Sequence, residues 1–244
     1  MQQEKLQEIN QNSSDFDHRK FDRVLKKHVK HGKVNYTALK HDEEFSAYLQ
    51  DLEQADLSVF QSREEKVAFW INAYNAYTLK LILDNYPIKS IKDLSFLGTL
   101  IINSPWKKRF CAVAGNVYTL DEIEHDILRG ELQETGVHFA VVCASNSCPI
   151  LRDEAYSAKK LKEQLTSQTE AFLSDTLKNQ FKWEGKTLYL SKIFDWYKSD
   201  FEKQYGSVTG FLAQYFTGEQ KEWLAKGDVK IEYLEYDWRL NELK

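Results

Sequence analysis

The chain has 244 residues, a hydrophobic fraction of 42% and a formal net charge of −4 with both signs mixed along its length. That supports an ordinary packed core and excludes a general nucleic-acid binder, which would show a basic stripe. Cysteines number 3, too few for the disulfide framework of a small secreted domain, and no apolar run approaches the length of a membrane-spanning helix, about 18 residues or more.

In chain order, residues 1–14 are polar and read as a flexible N-terminal segment, and 15–244 as a single α+β domain. The opening Met-Gln-Gln-Glu-Lys-Leu lacks an apolar signal core. The expectation is a cytoplasmic protein, with an exported mature form as the alternative. Ser14-x-x-Asp17 is a weak capping signal before a helix with Phe21, Val24 and Leu25 inward, stopping at Gly32. A second helix is expected from Asp42 to Gln54. Ser62-x-x-Glu65 opens the longest helix, with the stripe Ala68, Ile71, Leu79 and Ile82, which Pro87 ends.

A hairpin is expected from Arg109–Ala114 and Val117–Thr119, turning at Gly115-Asn116. Thr119-x-x-Glu122 then caps a helix ending at Gly130. Val137–Val142 reads as a short apolar strand, followed by a helix over Ser157–Ser174. A second hairpin turns at Glu184-Gly185, further helices follow, and Val229–Leu234 is a last strand. The sum is an α+β fold with an antiparallel or mixed sheet of about five or six strands, packed by helices that outweigh it.

Four groups of residues can carry chemistry. Asn75 lies on the apolar stripe of the long helix with Asn72 one turn before it, so both amides need buried partners. They either clamp neighbouring backbone or face a cleft. In Ile123-Glu-His-Asp-Ile-Leu-Arg129, His125 and Arg129 share a helix face, and His125 offers an imidazole that titrates near neutrality. Glu124 lies about a hundred degrees round from His125.

The third group is the loop holding His138, Cys143, Ser145, Ser147, Cys148 and Arg152. A strand that ends in Cys143 can present a nucleophile. Pro149 at a first helical position would put Cys148 near a helix N-terminus, which lowers a thiol pKa. Ser145 and Ser147 supply polar donors, and Arg152 favours an anion. The bland alternatives are a buried free cysteine, or a disulfide between Cys143 and Cys148. Three soft ligands without a fourth fit no zinc pattern, so neither metal nor cofactor is expected. Cys111 reads as core. His138 and Cys143 would fall on opposite faces of a regular strand, which favours His125 as the base and leaves His138 a supporting role. The fourth group holds Asp195, Asp200 and Asp237 among aromatics; each can orient a histidine, although capping and surface charge are the more ordinary roles.

Taken together, Lys33-Val-Asn-Tyr36, Phe69-Trp-Ile-Asn-Ala-Tyr-Asn-Ala76, Tyr118-Thr-Leu-Asp-Glu-Ile-Glu-His125 with Leu128-Arg129, His138-Phe-Ala-Val-Val-Cys-Ala-Ser-Asn-Ser-Cys-Pro149, Leu190-Ser-Lys-Ile-Phe-Asp-Trp-Tyr197 with Asp200-Phe201, and Tyr236-Asp-Trp-Arg-Leu-Asn241 resemble the uncharacterised family called domain of unknown function 547. The resemblance covers roughly residues 33–241. Its pattern allows Ser at the second cysteine, which favours Cys143 as the working thiol; no established reaction comes with it. A papain- or transglutaminase-like arrangement is one expectation.

Three functions follow as expectations. One is a cysteine-dependent hydrolase or acyltransferase acting on an amide, peptide or ester, with Cys143 as nucleophile, His125 as base, Glu124 or an Asp as its orienter, and Asn75 and Ser145 as supports. The second is a non-catalytic module binding a peptide or small polar ligand. The third is a thiol–disulfide protein using Cys143 and Cys148.

Overall fold

The computed structural model describes residues 16–97, 100–101 and 104–243. The N-terminal segment 1–14 and the Ser14 signal lie outside them. Helix α1 (Arg19–His28) buries Phe21, Val24, Leu25 and His28. The chain reverses through His31 and Gly32 into the small antiparallel pair β1 (Val29–Lys30) and β2 (Lys33–Val34). Gly32 sits at φ +74°, and a Cβ there would lie 2.5 Å from the Ile150 Cβ, so conformation and space both require glycine. A short turn of helix, α2 (Tyr36–Leu39), and then α3 (Glu43–Glu53) follow. Asp42 caps α3 by accepting from the backbone N–H groups of Glu44 (2.9 Å) and Phe45 (3.2 Å).

The longest helix, α4 (Arg63–Asn85), opens on a complete capping box between Ser62 and Glu65. It is not the one-sided helix its stripe suggests. From Val67 to Leu79 every side chain is buried, Asn72, Asn75 and Thr78 included. A helix enclosed on all sides is a central strut. Next come β3 (Phe96–Leu97) with β4 (Leu100–Ile101), then the hairpin β5 (Cys111–Val113) and β6 (Asn116–Tyr118). That hairpin turns at Ala114 and Gly115, both at positive φ, one residue earlier than the sequence suggests. Thr119 and Glu122 exchange reciprocal cap bonds. They start α5 (Glu122–Glu131), a wide helix that ends with a five-residue bond from Leu132 N–H to Ile127 C=O, 2.8 Å.

The expected strand Val137–Val142 is instead a helical turn, α6 (Val137–Ala140), running into extended backbone at Val141. The apolar run is too short for its periodicity to decide between the two. Helix α7 (Leu161–Ser174) leads to β7 (Gln180–Lys182) and β8 (Thr187–Leu190), which pair antiparallel. Helices α8 (Ile193–Trp196), α9 (Lys198–Tyr205), α10 (Val208–Leu212) and α11 (Gly218–Lys226) come before β9 (Lys230–Tyr233), which lies parallel to β8. The fold mixes helix and strand as expected, but its described sheets hold two or three strands, not five or six. Strands of two to four residues bury too little to form a layer, so helices build the core.

Two apolar clusters form that core. One surrounds α4 and includes Phe21, Tyr36, Tyr48, Phe69 and Ile71. The other gathers Phe139, Phe172, Phe194, Phe201 and Phe211, with Phe139 and Phe211 stacked at 5.6 Å. Helix α6 straddles them: Val137 and Ala140 belong to the first cluster, Phe139 to the second. The C-terminal segment then closes over the loop after α6. Asn146 N–H donates to Arg239 C=O (2.9 Å), Ser147 N–H to Asp237 C=O (3.2 Å) and Asn241 N–H to Ala144 C=O (3.0 Å). Asn241 C=O also accepts from Val34 N–H at 2.9 Å, so β2, the loop and the tail meet.

Candidate active site

The site begins with the Asn75 side chain. It donates to Ala140 C=O (3.0 Å) and accepts from Val142 N–H (3.0 Å), fixing the backbone that delivers Cys143. Asn72 holds Tyr156 the same way, donating at 2.8 Å and accepting at 2.9 Å. Both amides are therefore backbone clamps, one of the two roles open to them. Ala144, immediately after Cys143, has φ +57°, a conformation costly for any residue with a Cβ. The turn is sharp, and it leaves Cys143 half-buried at a cleft while protein crowds its other sides.

The Cys143 Sγ lies 3.0 Å from Ser145 Oγ and 3.3 Å from Tyr236 Oη. Cys143 N–H donates to Cys148 Sγ at 2.9 Å. Burial pushes the Cys143 thiol up, but hydrogen bonds from Cys148, Ser145 and Tyr236 outweigh it and draw it down to about 7. Burial pushes Cys148 up, and a charged Cys143 beside it adds to the rise. The first proton lost by this pair thus comes from Cys143. Cys111, buried in β5, is pushed up as well. No helix starts at Pro149, so the helix N-terminus expected to activate Cys148 does not form.

His138 stands on α6, not on a strand, so the alternation that set it apart from Cys143 does not apply. Its Nε2 is 2.8 Å from Asp200 Oδ2. A carboxylate only accepts, so Nε2 carries the proton and Nδ1 is the basic nitrogen. That Nδ1 is buried without a hydrogen-bond partner. The ring stacks on Tyr197 at 4.0 Å. Burial pushes the imidazole pKa down, against the upward pull of Asp200, so the ring is neutral at pH 7. Asp200 also receives Arg129 Nε at 2.7 Å. The bonds from His138 and Arg129 hold its carboxyl well below the usual range.

Glu124 does not orient His125. Its carboxylate is buried and accepts from Tyr74 Oη (3.0 Å) and Tyr197 Oη (2.6 Å). The His125 ring meets Asp121 (3.4 Å) and Arg129 instead, at the half-exposed rim. Arg152 turns away, bound to Glu154 (2.6 Å) and Ser167 (3.1 Å). Ser147 accepts from Asp237 N–H at 2.8 Å and ties down the tail.

A cleft of about 230 Å³ opens between the two apolar clusters, walled by Cys143, Cys148, His138, Glu124, His125 and a set of aromatic rings. Asn72, Asn75, Ser145, Ser147 and Arg152 are not among the residues that line it. The structure therefore brings Cys143, Cys148, His138, His125 and Glu124 to one cleft. It adds Tyr74, Tyr197, Trp196, Tyr236 and Trp238, rings that the motifs carry but to which sequence spacing assigns no role. Among the described residues no cluster of three or more His, Cys, Asp or Glu is placed to hold a metal, and no helix is long and apolar enough to cross a membrane.

The family model described as "Protein of unknown function, DUF547" matches residues 58–173, the family that the motifs resemble. That span carries α4, α5, α6 and the thiol loop. The motifs around Asp200 and Tyr236 lie beyond it, yet pack against the same cleft. No curated protein and no solved structure matches the chain.

Proposed function

We propose that the chain is a cysteine-dependent hydrolase or acyltransferase acting on an amide, peptide or ester. The observation that supports this best is that a thiol drawn down to about 7 and a buried histidine whose free nitrogen is its basic one line the same cleft. Cys143 is the nucleophile and His138 the base, oriented by Asp200. His138 takes the role that sequence spacing favours for His125. It is itself buried, with a half-buried carboxylate partner and an unpartnered nitrogen, whereas His125 is held by Asp121 and Arg129 at the rim.

In the reaction, Cys143 sulfur attacks the substrate carbonyl carbon as His138 Nδ1 takes the thiol proton. Collapse of the tetrahedral adduct breaks the C–N or C–O bond, and His138 returns the proton to the leaving amine or alcohol. The resulting thioester passes its acyl group to water or to an acceptor, which restores the thiol. Ser145 and Tyr236, in contact with the sulfur, stabilise the negative charge that builds on it as the proton leaves.

Intact-mass spectrometry after exposure to an activated ester tests the reading. One acyl group added at Cys143, absent in Cys143→Ala and turned over in time, is the expected result. An unmodified chain contradicts it. The contact between Cys143 N–H and Cys148 Sγ favours a thiol–disulfide pair as the second reading. Acylation that survives in Cys148→Ser separates the two.

A further inference from the structure

The cleft has a chemical bias that the thiol chemistry does not need. Glu124 is 5% exposed, and its carboxylate is fixed by two tyrosine hydroxyls while forming no ion pair among the described residues. Arg129 feels this charge but is itself paired with Asp200; a buried carboxylate with no cation in contact is costly, and the hydroxyl bonds hold it in one position. Asp121 lines the same cleft, and no described Lys or Arg does.

Part of the same lining is aromatic. Trp196, Tyr236 and Trp238 form a contiguous cluster, with ring centroids 4.8 Å (Trp196–Tyr236), 4.6 Å (Tyr236–Trp238) and 5.7 Å (Trp196–Trp238) apart. Trp196 is 47% exposed, a large apolar surface left open beside the thiol. Two rings of the cleft already take cations from the chain itself: in this cluster Lys92 Nζ lies 4.2 Å over Trp238, and outside it the Arg129 guanidinium lies 4.9 Å over Tyr197.

We infer that the cleft selects a substrate carrying a cationic alkyl group, of the lysine side-chain kind, beside the carbonyl that Cys143 attacks. The aromatic wall receives the methylene stem, and the carboxylates of Glu124 and Asp121 receive the charge. The volume of about 230 Å³ lies below the range of about 300–1,000 Å³ typical of drug-sized ligands, which suits a single side chain. The inference rests on the proposed function only for the position of the reacting carbonyl.

The test uses the full chain as Cys143→Ser, titrated at low salt with Nα-acetyl-lysine amide and its neutral counterpart Nα-acetyl-norleucine amide, read by tryptophan fluorescence and calorimetry. The lysine compound should bind about tenfold more tightly. Glu124→Gln should cut that preference to about twofold or less, and the rim variant Asp121→Asn should cut it partway. Equal or tighter binding of the norleucine compound overturns the inference. So does failure of the lysine compound to saturate below about 10 mM, or a preference unchanged in both variants. Neither readout uses the thiol. A lost preference therefore leaves Cys143 reactivity standing, and an unreactive Cys143 leaves the preference standing.

Discussion

His138 and Asp200, 62 residues apart in sequence, share a hydrogen bond of 2.8 Å between Nε2 and Oδ2 that joins α6 to α9. Asp200→Asn keeps the shape but offers an amide donor where the imidazole N–H needs an acceptor, which favours the wrong tautomer. Acyl-enzyme formation in that variant should slow by about 10²–10⁴-fold, as when a base loses its orienting carboxylate. His125→Ala should change the rate by no more than about threefold, since removing a group that takes no part in proton transfer forfeits none of the catalytic factor. Stopped-flow acylation rates with an activated ester check both. A larger loss in His125→Ala than in Asp200→Asn would return the base role to His125.

Asn75 tests how the fold delivers the thiol. Asn75→Ala leaves Ala140 C=O and Val142 N–H without their partners in a buried place. The expected cost is about 2–4 kcal/mol, two buried groups unsatisfied at once. Urea unfolding at constant m-value measures it. A change near zero would mean that Cys143 is positioned by the C-terminal segment alone.

Much of this frame is legible in the sequence, because the signals are local. Asp42, Ser62 with Glu65, and Thr119 with Glu122 cap the helices they announce, since each satisfies backbone N–H groups within three residues of itself. The hairpin at Ala114-Gly115 is legible to within one residue. The geometry of the cleft is not local. Whether Val137–Val142 is strand or helix depends on Phe139 entering one cluster while Val137 and Ala140 enter the other. Reading it as a strand set His138 and Cys143 on opposite faces and so favoured His125 for the base role proposed for His138. The part played by Tyr236 depends on the tail pairing with residues 144–147, about ninety positions away.

His18 sets an acid dependence of stability. Burial pushes its pKa down to about 3, and its Nε2 has no partner. Unfolded, the ring takes a proton near its ordinary value of about 6.5. Between those values the unfolded chain binds more protons, so stability is full above about pH 6.5 and falls as pH drops toward about 3. His138, also pushed down by burial, contributes in the same direction. Unfolding free energies measured between about pH 7 and 4.5, above the range of most carboxylates, should decline in the native chain and flatten in His18→Gln. Equal slopes in the two would show that His18 titrates normally.

The central claim is that Cys143 is the working thiol. Native protein is treated with iodoacetamide from pH 5 to 9, and each cysteine is followed by peptide mass mapping. Cys143 should label well ahead of Cys111 and Cys148, with a midpoint near 7, below the free-thiol value of about 8.5. Tyr236→Phe, which removes a hydrogen-bond donor from the sulfur, should move that midpoint upward. Labelling of Cys143 only after unfolding, or with a midpoint at or above the free-thiol value, would contradict the account.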